Sequence, residues 1–326
     1  MTHIRSEIIG TGHYLPSKVV TNDDLAKIVD TSDEWIVERT GIKSRRIVAE
    51  GELTSDLCVN ASKMALKNAN LKAEDVDAVI IATITADNIT PAVATKVAAE
   101  LGVKTGVPAF DISAACSGFI YALTIADNMI KLNQAKRALV VGAESLSKIT
   151  DWTDRNTCIL FGDGAGAVVL QAKEGKGTNA DTGLLTAKIY ADGSGYEQLK
   201  TTGGVSLTES TGKLWMNGKE VFKYAIPAMA GSIEAVLGDV GASLDDVDWV
   251  IPHQANIRII DGVAKKLNLD NSKVIITVDH QANTSAATIP LALSEAVEEG
   301  KIKKGDLIAL TAMGAGFTWG GALVRY

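Results

Sequence analysis

Hydrophobic positions along the chain fall into short apolar runs separated by stretches of helical period, and the sequence of these runs occurs twice. Residues 75–84 read DVDAVIIATI and residues 246–255 read DVDWVIPHQA, each a polar turn that runs into an apolar strand. An amphipathic helix follows each: VATKVAAELGV in the first copy and IRIIDGVAKKLNL in the second. Next come apolar strands, VPAFDI against KVIITV, and then helices of small residues, AACSGFIYAL against NTSAATIPLAL. Each copy closes on two strands, RALVVGAES and GAGAVVL against DLIALTAMG and GGALVRY. Apolar strands that alternate with helices predict mostly parallel sheets covered by helices, an α/β fold. Two copies with no Pro/Ser-rich linker predict two sheets in one pseudo-symmetric body. The halves are 1–175 and 176–326, with the less regular segment 184–221 as the link between them.

Composition narrows the class. The chain has 326 residues, 46% apolar and 5% aromatic, with a net charge of −7. This balance fits a globular protein and argues against a non-specific nucleic-acid binder. The first residues, MTHIRSEIIGTGHYLP, do not read as a secretory signal, and no apolar run approaches the roughly 20 residues of a membrane helix. Three cysteines with no C-x-x-C predict neither a disulfide framework nor a zinc site, so the expectation is a reduced, cytoplasmic protein without a metal.

Chemistry concentrates at a few places. Cys116 lies in FDISAACSGFIYAL, between a strand ending near Ile112 and a helix beginning near the cysteine. Free N–H groups and the positive end of the helix dipole favour thiolate there. Small neighbours leave room for a group on sulfur. The alternative is a buried, inert cysteine. Cys58, on the amphipathic stretch TSDLCVNASKMALKNAN, reads as core; Cys158, in TCILFGDG, fits either a functional or a core reading, with core preferred. His253 follows the strand VDWVI at its carboxyl end, where α/β proteins collect ligands. Asn283 holds the position of the second copy that corresponds to the cysteine region of the first. If the copies are symmetric, Cys116, His253 and Asn283 share one site. GDGAGA at 162–167 is followed by a strand rather than a helix, which excludes a phosphate loop. MGAGFTWGG at 313–321 lies between two strands and offers backbone N–H groups to a reacting carbonyl.

The runs DISAACSGF, GDGAGAVVL, PHQANIRI, NTSAA and GFTWGGALVR, with TSDEWIVERTGIKSRR near the start, resemble 3-oxoacyl-[acyl-carrier-protein] synthase III over essentially the whole chain. The resemblance implies the duplicated five-layer αβαβα fold of the thiolase superfamily. It also implies an acyltransferase that condenses an acyl-CoA primer with malonyl-acyl carrier protein, releases CoA and carbon dioxide, and initiates type II fatty acid synthesis as a homodimer with no cofactor. By position, Cys116 matches the nucleophile, and His253 and Asn283 match the pair that binds the malonyl thioester carbonyl. The backbone of Cys116 and Ala315 matches the oxyanion hole, although the family often carries glycine at 315. Trp35, Arg39 and Arg155 match CoA contacts, while Phe161, Met216 and Thr90 match positions at the acyl pocket. Lys223 and Gln254 match the carrier-docking region. Arg258, Lys265 and Lys266 add to it from the helix after His253, where positions seven apart share a face. Two further readings stand beside this one: a chalcone-synthase-like relative, and a non-catalytic acyl-carrier-binding subunit, against which the presence of Cys116 counts.

Overall fold

The structure, a computed structural model, describes residues 3–326. In the first half the elements are β1 (His3–Tyr14), β2 (Lys18–Thr21), α1 (Asn22–Ala26), α2 (Asp33–Thr40), β3 (Ser44–Ile47), α3 (Thr54–Asn68), β4 (Ala78–Ala82), α4 (Val93–Leu101), β5 (Ala109–Ile112), α5 (Gly118–Lys131), β6 (Arg137–Ser145) and β7 (Asp163–Gly175). The second half follows with β8 (Gly183–Ala191), β9 (Leu199–Thr201), α6 (Val205–Thr208), β10 (Leu214–Met216), α7 (Gly218–Val240), β11 (Trp249–Pro252), α8 (Ile257–Leu267), α9 (Val278–Gln281), α10 (Thr288–Glu298), β12 (Leu307–Gly314) and β13 (Thr318–Arg325).

Two sheets carry the repeat. The first has strand order β1-β7-β6-β4-β5 and the second β11-β12-β13-β8. Reading the second backwards superimposes β8 on β1, β13 on β7, β12 on β6 and β11 on β4. The duplicated DVD turn has a physical reason. Asp77 N donates to Arg137 O and its carboxylate accepts from Arg137 N; Asp248 N donates to Leu307 O and its carboxylate accepts from Leu307 N. Each aspartate thus starts a parallel pair, β4 on β6 or β11 on β12, by satisfying the first N–H of the neighbouring strand.

Helices α3 and α4 cover the outer face of the first sheet, and α7 and α8 lie on the outer side of the second. Between the sheets lie α5 and α10, which contact strands of both halves. The result is the five-layer αβαβα arrangement. The central core runs through Ile80, Phe119, Leu123, Ile289, Leu293 and Leu310, so neither half buries its apolar face alone.

Two expectations need correction. KVIITV is not a strand: only Val274 bridges to Val250, and Ile275 N reaches Val250 O. The chain then turns away into α9, which leaves Ile276 37% exposed and the second sheet one strand short. Nor is 184–221 merely a link, because residues 183–191 form the edge strand β8, paired antiparallel with β13. Only the part after Ala191, with short β9, α6 and β10, is irregular.

Candidate active site

The turn that carries Cys116 is built by close approach of backbones. After β5 the chain makes a single 3-10 turn, Ala115–Ser117, and enters α5. Ala115 takes φ +45°, which bends the chain so that the cysteine faces the interior. The matching turn in the second half, Ser285–Ala287, also begins on a residue with positive φ, Ser285 at +50°, and leads into α10. The two turns touch. Gly314, at the end of β12, closes the third side: a Cβ there would stand 2.6 Å from Cys116 N. Any side chain at 314 would displace the nucleophile's own backbone.

Donors at this junction lack acceptors. Neither Cys116 N–H nor Ala315 N–H has an acceptor among the hydrogen bonds of the described residues. Ala315 is not among the residues with positive φ, so its methyl group is accommodated without backbone strain. Asn283 is held at both ends of its backbone, N–H to Leu160 O and O from Gly162 N, each at 3.0 Å. Its side-chain Oδ1 accepts Ser285 N–H at 2.9 Å. A backbone amide can only donate, so this contact fixes the orientation of the side-chain amide and leaves Nδ2 as a free donor.

His253 is 2% exposed, and burial pushes its imidazole down to about 3, so it is neutral at any working pH. Its Nδ1 lies 2.7 Å from Thr288 Oγ1, which in turn lies 3.1 Å from Ser285 O. Thr288 is the first residue of α10, so one side chain couples the histidine to the Ser285 turn. Sequence reading missed Thr288; its only trace was its place in NTSAAT.

Against the expectation of a thiolate, burial pushes the Cys116 thiol up to about 12, opposed first by the Ser285 side chain and then by the cysteine's own N–H. Cys58 and Cys158 are fully buried in apolar clusters, as core residues.

A cavity of about 900 Å³ opens beside the sulfur, lined among others by Cys116, Leu146, Phe161, Leu214, Ser285 and Ala315. His253 and Asn283 sit behind this lining rather than in it. In the single chain Phe161 lines the cavity, and Met216 and Thr90 are not among its lining residues. Leu214 lines the cavity from β10, and the partly buried Met216 packs against the edges of two apolar clusters. Thr90 is exposed, in the loop before α4, and does not reach the cavity.

Trp35, Arg39 and Arg155 come together at the surface. Ser32 caps α2 by accepting Trp35 N–H, and both guanidinium groups lie over the indole, Arg39 at 4.3 Å and Arg155 at 4.4 Å from the ring centroid. Gly41, at φ +75°, ends α2 against Ile257, the first residue of α8. Asn256 caps α8, which buries Ile259, Ile260, Val263, Ala264 and Leu267 and exposes Arg258, Lys265 and Lys266. Lys223 is exposed on the adjoining α7, beside Phe222, over which Arg258 stands at 5.8 Å. Gln254 is corrected. It is fully buried, donates to Pro252 O and Ile275 O, and accepts from Thr277 N and Val278 N. With both ends of its amide used to tie β11 to the start of α9, it has no face for a partner.

A duplicated five-layer body with a cysteine turn at the seam of its two halves defines a condensing acyltransferase of thiolase fold. The comparisons agree. The profile of 3-oxoacyl-[acyl-carrier-protein (ACP)] synthase III matches residues 110–193, and its C-terminal profile matches residues 237–326. The chain is 57% identical over 323 residues to the beta-ketoacyl-[acyl-carrier-protein] synthase III of Rhodospirillum centenum, covering 99% of both chains. It is 54% identical to that of Rhizobium johnstonii, covering 99% of this chain and 100% of the relative. The crystal structure of the 3-oxoacyl-[acyl-carrier-protein] synthase III of Aquifex aeolicus VF5 superimposes with a TM-score of 0.92 at 51% identity, over 98% of this chain and 100% of that one. The chain belongs to the 3-oxoacyl-[acyl-carrier-protein] synthase III family.

Proposed function

We propose that Cys116 accepts the acyl group of an acyl-CoA primer and that the acyl-enzyme then condenses with malonyl-acyl carrier protein to give a 3-oxoacyl product, CoA and carbon dioxide. The observation that supports this most is the set of unused donors around one thiol: Cys116 N–H, Ala315 N–H and Asn283 Nδ2. The two backbone amides form the oxyanion hole for the thioester adduct on Cys116. Asn283 and His253 donate to the enolate oxygen that develops as the malonyl group loses carbon dioxide. Donors aimed at developing charge in a buried site are among the largest contributions to catalysis. Decarboxylation itself generates the carbanion, so the condensation needs no base.

For His253 to donate at Nε2, its Nδ1 must accept. Thr288 Oγ1 has one proton and two neighbours, His253 Nδ1 at 2.7 Å and Ser285 O at 3.1 Å. The proposed Nε2 donor requires that hydroxyl, which in the resting structure donates to Ser285 O, to give its proton to Nδ1 instead. Trp35, Arg39 and Arg155 receive the adenine and phosphates of CoA, one guanidinium leaving the indole face to admit the base. Phe161 borders the acyl group. Lys223, Arg258, Lys265 and Lys266 meet an acidic carrier protein. The halves 1–175 and 176–326 supply the cysteine and the His–Asn pair respectively, in a homodimeric protein of the cytoplasm; no helix among the described residues is long and apolar enough to cross a membrane.

The test is acyl transfer from radiolabelled acyl-CoA. Cys116→Ser should not label, while Cys58→Ser and Cys158→Ser should label as the wild type does. Normal labelling of Cys116→Ser would overturn the assignment.

A further inference from the structure

Asn283 lies on no regular element. It falls between α9 and the Ser285 turn, so neither a helix nor a sheet ladder sets its position. Its backbone is held by the segment Leu160–Gly162, which takes its N–H on Leu160 O and gives Gly162 N–H to its carbonyl, each at 3.0 Å. Phe161 and Asn283 stand opposite each other there as an isolated parallel bridge. That segment is itself irregular, since it follows a run of turns and precedes β7. A donor whose effect depends on where it points is thus fastened to a stretch of chain that needs a fastening of its own.

Arg45, on β3, supplies it. The side chain is fully buried. Nη2 donates to Ile159 O at 2.8 Å, one residue before the carbonyl that holds Asn283. Nη1 donates to Asn22 Oδ1 at 2.9 Å and to Val20 O at 3.3 Å. Among the described residues Nε has no partner, and no carboxylate pairs with the group. The nearest acid along these contacts is Asp33, which accepts from Asn22 Nδ2 at 2.8 Å. Burial lowers the guanidinium to about 10, so it stays charged at working pH. A buried charge bonded only to neutral oxygens is a costly link, and an apolar residue of similar volume would suit a mere core position better. The fit is close on both sides of the segment: a Cβ at Gly162 would stand 3.2 Å from Arg45 Cβ and 3.0 Å from Gln281 O.

We propose that Arg45 is a positioning residue of the decarboxylation half-reaction: its guanidinium fixes Ile159 O, the Leu160–Gly162 segment follows, and Asn283 Nδ2 is thereby aimed at the malonyl carbonyl oxygen. Two contacts divide the aim between them. Ser285 N–H, donating to Asn283 Oδ1, sets the rotation of the amide, and Arg45 sets where the backbone beneath it stands. Arg45 does not line the substrate cavity, so it touches no reacting atom and moves no proton. It acts only through Asn283. The acylation donors, Cys116 N–H and Ala315 N–H, belong to other segments of the chain. The inference rests on Asn283 serving the malonyl group.

A purely structural Arg45 would behave differently. The surrounding elements have other ties: β2 and β3 pair along their full length, and Lys43 N–H donates to Asp279 O at 2.8 Å, joining the chain before β3 to α9. Ile36, Ile42, Cys158 and Ile159 pack in one apolar cluster. These contacts keep the region folded with or without the guanidinium. A general loosening would weaken both half-reactions, and it would add to the loss of Asn283 instead of vanishing with it.

The experiment is a double-mutant cycle on pre-formed acyl-enzyme. Release of labelled carbon dioxide at saturating malonyl-carrier protein is compared for the wild type, Arg45→Met, Asn283→Ala and the double variant, with Arg45→Lys beside them. Arg45→Met should lose roughly 10²-fold, the scale set by an ångström-sized displacement of a catalytic group. Acylation of Cys116 by acyl-CoA should change far less. In the Asn283→Ala background Arg45→Met should add no more than about twofold, because nothing is left for it to position. Arg45→Lys keeps the charge and can reach one carbonyl, so it should recover part of the loss; it also carries the cycle if the methionine variant does not fold. Wild-type decarboxylation in Arg45→Met, full multiplication of the two losses, or equal loss in both half-reactions would overturn the proposal. Failure of both Arg45 variants to fold would overturn it too, since the residue would then serve the whole fold. Wild-type decarboxylation in Asn283→Ala would instead overturn the role given to Asn283.

Discussion

Replacing Thr288 by valine isolates the histidine's orientation from the rest of the site. Valine keeps the shape of threonine but removes the hydroxyl 2.7 Å from His253 Nδ1. The loss has two consequences. Nδ1 is left buried with no partner, which costs about 1–3 kcal/mol of stability. The proton is also no longer directed to Nε2. A neutral hydrogen bond contributes about 0.5–1.5 kcal/mol, and about 1.4 kcal/mol is a factor of ten in rate, so malonyl decarboxylation should fall roughly 3- to 10-fold. Acylation of Cys116 relies on other donors and should be unchanged. Thr288→Ser restores the hydroxyl and should recover most of the loss. Because burial holds His253 near 3, the decarboxylation profile should carry no histidine inflection between pH 5 and 8. The assay is release of labelled carbon dioxide from malonyl-carrier protein, alongside acyl labelling and the ¹⁵N shifts of the ring. A ring still protonated at Nδ1 with malonyl-carrier protein bound, or equal losses in both half-reactions, would refute the reasoning.

Removing the donors outright should cost more: His253→Ala and Asn283→Ala should each lose roughly 10²–10³-fold in decarboxylation while still accepting the acyl group, and loss of acylation in a folded variant would contradict the two-step division. Arg258→Glu should raise KM for malonyl-carrier protein, with a smaller effect at high salt and little effect with malonyl-CoA; equal effects on both substrates would exclude carrier docking. His280 offers a test of stability against pH. Its hydrogen bond to Glu295, aided by Asp279, raises it to about 9 from the usual 6.5. A raised value in the folded state stabilises fully below about pH 6.5, and that contribution fades as pH climbs through about 9. His280→Gln should therefore lower Tm at pH 6 and approach the wild type at pH 9.5; a difference that does not change with pH would contradict this.

The repeated elements were legible because each copy carries its own periodicity and its own starting aspartate. Asp77 and Asp248 mark the first parallel pair of each half in the sequence and cap it in the fold. KVIITV misled because its composition suits a strand, while the chain after Ile275 is drawn off by Gln254, whose amide fixes Thr277 and Val278. The same amide explains why a polar residue in H-Q-A-N looked free for a partner when it is internal scaffolding. Cys116 and Asn283 stood out as candidates because the two copies align their turns, and His253 because it follows a strand at its carboxyl end. The state of the thiol could not be read there, since it follows from burial by residues distant in sequence. Thr288 gave no signal of its own, because it begins an apolar helix, and only the fold shows that it sits beside His253.

The central claim, one cysteine charged by acyl-CoA and discharged by a decarboxylating malonyl-carrier protein, is tested most directly by isolating the acylated protein and adding malonyl-carrier protein without any acyl-CoA. Intact-mass measurement should first find one acyl group per chain, on the peptide that contains Cys116. Addition of malonyl-carrier protein should then clear that mass and produce 3-oxoacyl-carrier protein and carbon dioxide in equal amounts. An acyl group that stays on the protein, or returns to the carrier without carbon dioxide and without two added carbons, would contradict the account.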